Sequence, residues 1–157
     1  GGLVLDPTCG CGTTSYVEGW ALYAESLGFE MGLFDDPYQR QGTYDDEMLR
    51  AMRLVVDTGI HTKGWTREQA IKYMTDNSAM GVTDATAEVE RYIAIPTQAL
   101  AYKVGQLKIR ELRTRAEQAL GNRFDVKRFH AEVLDTGGLP LPVLEAKIDR
   151  WIENGGR

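Results

Sequence analysis

The stretch "YVEGWALYAESLGFEMG", residues 16–32, has the apolar spacing of an amphipathic helix. The turn residues of "FDDPYQRQG", residues 34–42, then interrupt the pattern. We therefore predict a helix over about residues 16–33. Its packing side chains are expected to be Trp20, Leu22, Tyr23, Leu27 and Met31.

Two glutamates in this stretch invite a functional interpretation. Glu18 and Glu25 are seven residues apart, about two helical turns, so their carboxylates project from one face. A carboxylate beside glycine and large aromatic residues is unusual on a core helix. The spacing alone leaves two alternatives open, a functional pair or two solvated glutamates beside a packing stripe.

The remainder of the chain also reads as helical, with strand-like alternation nearly absent. Thr66 and Gln69 stand in capping-box positions, and Asp125 suits the start of "VKRFHAEVL". The pattern predicts an all-α fold, a single helical domain of about six helices over residues 16–157. The second helix is expected from Tyr44 to His61, a third after Thr66, and a fourth from after Thr83 to near Pro96. The longest helix is expected from Pro96 to Leu120. Two more are expected, one after Asp125 that ends at Gly137 and Gly138, and one from Pro142 onward.

Composition and charge exclude several classes of protein. The chain has 157 residues, is 43% hydrophobic and carries a formal charge of -5, with its basic residues scattered. These values are typical of a globular protein and do not favour binding to nucleic acid. The only cysteines, Cys9 and Cys11, are too close for an ordinary disulfide, and no apolar run could span a membrane. We therefore expect a cytoplasmic protein.

Residues 1–15, "GGLVLDPTCGCGTTS", differ in character from the rest. A short apolar run followed by glycines and small hydroxyl residues resembles the first motif of S-adenosylmethionine-dependent DNA methyltransferases. Such a turn works inside a parallel sheet, which the helical sequence downstream does not offer. An irregular or foreign N-terminal leader is the favoured interpretation.

From Tyr16 to Ile152 the chain resembles the bacterial family called domain of unknown function 885. Members of that family are similar to helical zinc peptidases of the gluzincin type, and they carry an upstream H-E-x-x-H-like helix that supplies two histidine ligands and a glutamate base. The stretches that carry the resemblance are "YVEGWALYAESLGFEMGL", "RLVVDTGIHTKGWTREQAIKYM", "EVERYIAIPTQALAYKVGQLKI" and "LPLPVLEAKIDRWI".

The resemblance implies a role for six residues. Glu18, in "EGWA", is the expected zinc ligand, and Glu25 is expected to hold a histidine ligand or the helix in place. Tyr102, in "AYKVGQ", is expected to donate to the oxyanion of the reacting peptide, although a packing role is an open alternative. The residues expected to bind the substrate or its C-terminal carboxylate are Arg91, Tyr92 and Gln98. Thr97 departs from the family pattern, in which glycine is expected after Pro96.

The chain itself lacks the H-E-x-x-H motif. Its two histidines, His61 and His130, lie in "HTKGW" and "HAEVL", and no second histidine follows one turn later. We expect His61 to close its helix and His130 to lie on an amphipathic face. We also expect this chain alone to hold no zinc tightly and to be inactive.

These observations favour a C-terminal fragment of a zinc-dependent peptidase-like protein, whose family-level substrate is a peptide. The alternative is a non-catalytic helical module that binds a partner or a second copy through exposed apolar surface. A third interpretation, which depends on residues 1–15, is a fragment of a methyltransferase that binds S-adenosylmethionine.

Overall fold

The computed structural model describes residues 13–157, and the all-α prediction is confirmed there. The described residues form seven α-helices and no strand, and a short 3-10 turn, Gly121–Arg123, follows the fifth helix. None of these helices is long and apolar enough to cross a membrane. The glycine-rich motif lies on residues outside the described part, so the methyltransferase interpretation stays a prediction. The helices are α1 (Thr14–Glu30), α2 (Pro37–Lys63), α3 (Arg67–Asn77), α4 (Val82–Ala94), α5 (Gln98–Leu120), α6 (Val126–Leu134) and α7 (Leu141–Glu153).

Helix α2 begins at Pro37 and not at Tyr44. The Asp36 carboxylate accepts a 2.8 Å hydrogen bond from the backbone N–H of Tyr38, which caps the helix. Pro37 lies in the first turn, where a missing N–H leaves no hydrogen bond unmade. In the sequence the same proline indicates a helix break, which is why the start of α2 is predicted too late. With 27 residues α2 exceeds the 23 of α5, so the prediction that α5 is the longest helix is wrong.

The predicted side-chain caps at Thr66 and Asp125 are confirmed, whereas α4 begins at Val82 and not after Thr83. Thr66 and Gln69 form the reciprocal capping box of α3, and the Asp125 carboxylate accepts from the backbone N–H of Lys127. Predictions based on glycine or proline are displaced by one to three residues. Helix α5 begins at Gln98 rather than Pro96, and α6 ends at Leu134, before the two glycines expected to end it.

The described chain forms two compact units. The terminal unit contains residues 13–24 and 104–157, and the central unit contains residues 25–103. In the terminal unit the Tyr16 hydroxyl donates a buried 2.7 Å hydrogen bond to the carbonyl of Val133. The core of that unit includes Leu22, Tyr23, Ile109, Leu112, Phe129, Val133, Leu144, Ile148 and Trp151.

The central unit is built around α2, α3 and α4. Its largest buried aromatic side chain is Tyr92, which is 1% exposed. Trp65 folds back against Gly59, where a Cβ would lie 2.5 Å from the indole ring. The other buried members of this core are Val56, Ala70, Met74, Ala85, Val89 and Ala99.

Helices α1 and α5 touch backbone to backbone within the terminal unit. A Cβ on Gly105 would lie 1.8 Å from the carbonyl oxygen of Ser15, and a Cβ on Gly19 would lie 2.4 Å from the Gly105 backbone. Next to this contact the buried Gln106 amide donates a 3.2 Å hydrogen bond to the carbonyl of Leu22. No side chain larger than hydrogen fits at either glycine without a shift of the helices.

We predict that Gly105→Ala lowers the free energy of unfolding by about 3 kcal/mol or more, since an added methyl group in a filled contact forces backbone movement. Urea unfolding followed by circular dichroism measures this change. Gly42→Ala is the matched control, because Gly42 lies in α2 with no atom within 4 Å of a new Cβ. That variant should gain up to about 1 kcal/mol from helix propensity. Equal effects of the two substitutions would contradict the close contact.

Candidate functional site

Glu18 lies on α1 in the terminal unit, directly before Gly19. Its side chain is half-buried. Its carboxylate makes no hydrogen bond or ion pair with any residue of 13–157. Both oxygen atoms are therefore available to a ligand from outside the described residues.

Glu25 lies in the central unit and is exposed. Burial of its carboxyl group raises the pKa of Glu25. The Arg50 guanidinium lowers this pKa, and the carboxylates of Asp46 and Glu47 raise it further. Glu25 and Asp46 line a shallow cavity of about 460 Å³. The expected role of Glu25, holding a histidine ligand or the helix in place, stays a prediction.

Tyr102 lies on α5 in the central unit, beside two arginines of α2. The guanidinium carbon of Arg50 is 5.3 Å from the centre of the Tyr102 ring, and that of Arg53 is 4.9 Å away. Both cations are within the range of favourable cation–π contact. The hydroxyl has no hydrogen-bond partner within residues 13–157. The arginine contacts therefore hold the Tyr102 ring in place, and the hydroxyl is available to donate a hydrogen bond to a ligand.

A single carboxylate, Glu88, organises the residues around Tyr92. Oε2 of Glu88 accepts hydrogen bonds from the Tyr92 hydroxyl at 2.6 Å, from Arg91 Nη2 at 2.7 Å and from Arg53 Nη2 at 2.9 Å. Burial alone raises the pKa of Glu88, but the hydrogen bonds from Arg91, Tyr92 and Arg53 outweigh it and lower the pKa to about 2. Burial, together with the hydrogen bond to Glu88, raises the pKa of Tyr92 to about 12. The carboxylate stays ionised and the phenol stays protonated at neutral pH.

The three residues predicted to bind substrate are joined through this network. Arg91 donates to Glu88 and, through Nη1, to Oε1 of Gln98 at 3.0 Å. Tyr92 is buried and donates its hydroxyl proton to Glu88. Arg91 and Tyr92 are thus engaged in internal hydrogen bonds, and their contact with substrate stays a prediction.

Sequence reasoning missed three charged members of the cluster. Glu88 precedes Arg91 by three residues and Tyr92 by four on α4, and this helical spacing could have identified it. Arg50 and Arg53 lie three apart on α2, on a stretch that reads as an apolar face. A charged residue on such a face needs a buried partner, which is the signal that could have singled out Arg53.

A cavity of about 720 Å³ adjoins Glu88 in the central unit. Its walls combine apolar and acidic side chains, so it suits an apolar or cationic group. The apolar lining residues include Tyr44, Met48, Leu49, Met52 and Met80, and the acidic ones are Asp45, Asp46, Asp84 and Glu88.

Thr97, between α4 and α5, has a φ of +71°. This left-handed conformation is strained for a β-branched residue and easy for glycine, which agrees with the glycine expected at this position from the family resemblance. The Asp57 carboxylate holds the strained turn, because it accepts the Thr97 N–H at 3.1 Å. Burial raises the pKa of Asp57, whereas the hydrogen bond from Thr97 and the charge of His61 oppose the rise.

The two histidines make protein contacts. His61 Nε2 is 3.0 Å from the carbonyl oxygen of Tyr92 on α4, so His61 bonds to a neighbouring helix as well as lying at the end of its own. His130 Nε2 is 2.8 Å from the Tyr23 hydroxyl. Within residues 13–157 no group of three histidine, cysteine or acidic residues is arranged to hold a metal ion.

The fold and the site define a helical protein with an arginine–carboxylate–tyrosine cluster. The model of a bacterial family of proteins of unknown function, DUF885, matches residues 8–148. This chain belongs to that family. The predicted membership is thus confirmed, whereas the likeness to zinc peptidases stays a prediction. Comparison with curated proteins gives no match.

Two solved structures are similar to this chain. One is described as a "putative lipoprotein" from Colwellia psychrerythraea, with 48% identity and a TM-score of 0.88 over 90% of this chain. The other is described as a "putative lipoprotein of unknown function" from Shewanella oneidensis, with 30% identity and a TM-score of 0.79 over 84% of this chain. The match covers 24% of each of those longer proteins.

We predict that Thr97→Gly raises the free energy of unfolding by about 1 kcal/mol, because relief of the left-handed strain outweighs the added entropy of the unfolded chain. The hydrogen bond to Asp57 is kept, since the backbone N–H is its donor. Thr83→Gly makes the same exchange inside α4 and should be slightly destabilising. Chemical unfolding compares the two, and a loss of stability in Thr97→Gly would contradict the account of this turn.

The pKa of Glu88 predicts how stability depends on pH. Its value of about 2 lies below the ordinary 4.5, so the unfolded chain takes up the proton first as the pH falls. The contribution of Glu88 is complete above pH 4.5 and is lost as the pH falls toward about 2. Glu88→Gln should be less stable at neutral pH and lose less stability over that interval in acid unfolding, whereas Glu153→Gln should follow the wild type. An unchanged slope in Glu88→Gln would refute the assignment.

Proposed function

We propose that this chain contributes one metal ligand and a substrate-binding wall to a zinc-dependent, gluzincin-type peptidase site. The reaction class is the hydrolysis of a peptide amide bond. Membership of the family and the available Tyr102 hydroxyl support this proposal, and the hydroxyl is the observation that carries it.

Tyr102 is proposed to donate a hydrogen bond to the carbonyl oxygen of the scissile bond as that oxygen gains negative charge. A hydroxyl that already donates to a neighbouring acceptor cannot do this. The Tyr102 hydroxyl has no such acceptor within the described residues. The cations of Arg50 and Arg53 lie about 5 Å from the ring centre, where they favour negative charge nearby. A donor fixed in advance of the reaction is worth several kcal/mol in the transition state, roughly 3 to 4 in well-studied cases.

Glu18 is proposed as the ligand that this chain gives to zinc. Its half-buried carboxylate has no internal partner in residues 13–157, which supports a role toward an outside group. The remaining ligands have to come from a segment other than the described residues. We therefore propose that residues 13–157 alone neither hold zinc tightly nor hydrolyse peptides.

The location of the protein is also a proposal. The spacing of the two cysteines favours the cytoplasm, whereas both solved relatives are described as lipoproteins. Lipid attachment at a membrane surface is therefore the competing proposal, and the two are separated by fractionation of the cells that express the protein.

A chimera tests the metal role of Glu18. Residues 13–157 replace the matching segment of the Colwellia psychrerythraea protein, which is 48% identical to this chain. We predict that the chimera retains about one zinc per chain by elemental analysis, as expected of a single catalytic site. Glu18→Gln should lose most of this zinc and keep its helical circular dichroism spectrum.

Glu153→Gln is the control for Glu18→Gln, since Glu153 is an exposed glutamate at the end of α7. It should leave the zinc content unchanged. Zinc retained equally by both variants would remove Glu18 from the site, and a chimera without zinc would remove the peptidase proposal itself.

Exposed apolar side chains favour one second candidate, a non-catalytic module that binds a partner or a second copy. In the central unit Tyr38 is 87% exposed, and Met31 and Leu33 are each 63% exposed. Such side chains indicate a contact surface when they lie together. A chain that self-associates in sedimentation analysis, and whose chimera holds no zinc, would support this candidate over the peptidase.

A further inference from the structure

Two guanidinium nitrogens beside Tyr102 are buried without a partner among residues 13–157. Nη1 of Arg53 and Nε of Arg50 have no hydrogen-bond acceptor in this part of the chain, although both atoms are buried. A buried donor without an acceptor costs about 1 to 3 kcal/mol, and more when it is charged. A buried donor of this kind calls for an acceptor, and a ligand can supply one.

Arg53 is held rigidly in this arrangement. The residue is 6% exposed, its Nε donates to the Tyr92 hydroxyl at 3.0 Å, and its Nη2 donates to Glu88 at 2.9 Å. These two bonds fix the plane of the guanidinium and therefore the direction in which Nη1 points. A fixed donor loses little entropy when a ligand binds.

The charges around Tyr102 limit the charge of a ligand that can accept from these donors. Arg50 and Arg53 both face the Tyr102 ring, so two like charges share one small region. Glu88 neutralises charge on Arg53 and Arg91 by direct contact, and Glu25 is close enough for Arg50 to lower its pKa. Asp46 and Glu47 also act on Glu25, and Lys103 pairs with Glu47, so the acidic and basic groups of this region are balanced. This balance suits a singly charged carboxylate better than a phosphate dianion.

We infer that Arg53 and Arg50, both beside the Tyr102 ring, bind the C-terminal carboxylate of a peptide. Arg53 Nη1 and Arg50 Nε donate to the carboxylate oxygens in the manner of a guanidinium–carboxylate pair. Arg50 and Tyr102 are half-buried, so the cluster is reached from the surface on their side. The inference rests on the proposed function and narrows its substrates to peptides with a free C-terminal carboxylate. Arg91 donates to Glu88, and substrate binding by Arg91, Tyr92 and Gln98 stays a separate prediction.

Binding of a carboxylate to the chain itself tests the inference without any need for activity. The probe is N-acetylglycine, and N-acetylglycinamide is its neutral counterpart of nearly the same shape. Each is titrated into isotopically labelled protein, and the arginine Nε–Hε signals are followed by nuclear magnetic resonance. The acid should bind at least tenfold tighter than the amide and shift the Arg53 signal.

Two variants complete the test. Arg50→Gln should weaken binding of the acid at least tenfold, whereas Arg67→Gln should not change it, because Arg67 is an exposed arginine paired with Glu90 in the same unit. Arg53 is left intact, since its loss would remove hydrogen bonds to Tyr92 and Glu88 and disturb the packing around Tyr92. The shift of its own signal in the wild type reports on it directly.

Equal binding of acid and amide, or binding that Arg50→Gln leaves unchanged, would overturn the inference. Tighter binding of inorganic phosphate than of N-acetylglycine would overturn the assignment to a carboxylate. Failure of the peptidase proposal is recognised separately, because it appears as a chimera without Glu18-dependent zinc while carboxylate binding to the chain persists.

Discussion

The terminal unit depends on the direct backbone contact between α1 and α5 at Gly19 and Gly105. A methyl group at Gly105 would overlap the Ser15 carbonyl, so both positions have to be glycine for the helices to approach this closely. Glu18 precedes Gly19 in the chain, and the contact thus fixes the backbone that carries the proposed metal ligand. A ligand on a rigid helix is positioned more accurately than one on a loop.

In the central unit the comparable constraint is the Glu88 carboxylate. It accepts hydrogen bonds from Arg53 of α2 and from Arg91 and Tyr92 of α4, so one ionised group holds two helices in register. A buried ion pair of this kind contributes less to stability than to a unique arrangement of side chains, which is our hypothesis for this cluster. Within residues 13–157 the arrangement leaves one donor each of Arg50 and Arg53 without an acceptor, so the cluster that orders the two helices also provides the proposed ligand site.

Local signals in the sequence were sufficient for the helices and insufficient for the site. The capping box of Thr66 and the cap of Asp125 act over three residues or fewer, and both are confirmed. Pro37 misleads, because a proline suits both a break and a first turn. Arg53 and Glu88 are 35 residues apart, and no local pattern in the sequence indicates that these two residues form a pair. The same holds for Gly19 and Gly105, which are visible as helical glycines but not as a contact.

The central claim is that Glu18 reaches zinc in a site completed by another segment. A crystal structure of the chimera with the Colwellia psychrerythraea protein, with anomalous diffraction collected at the zinc edge, tests it most directly. The account predicts one strong peak at about 2.0 to 2.2 Å from a Glu18 carboxylate oxygen, the usual zinc–carboxylate distance. A zinc peak away from Glu18, or no peak in crystals grown with zinc, would contradict it.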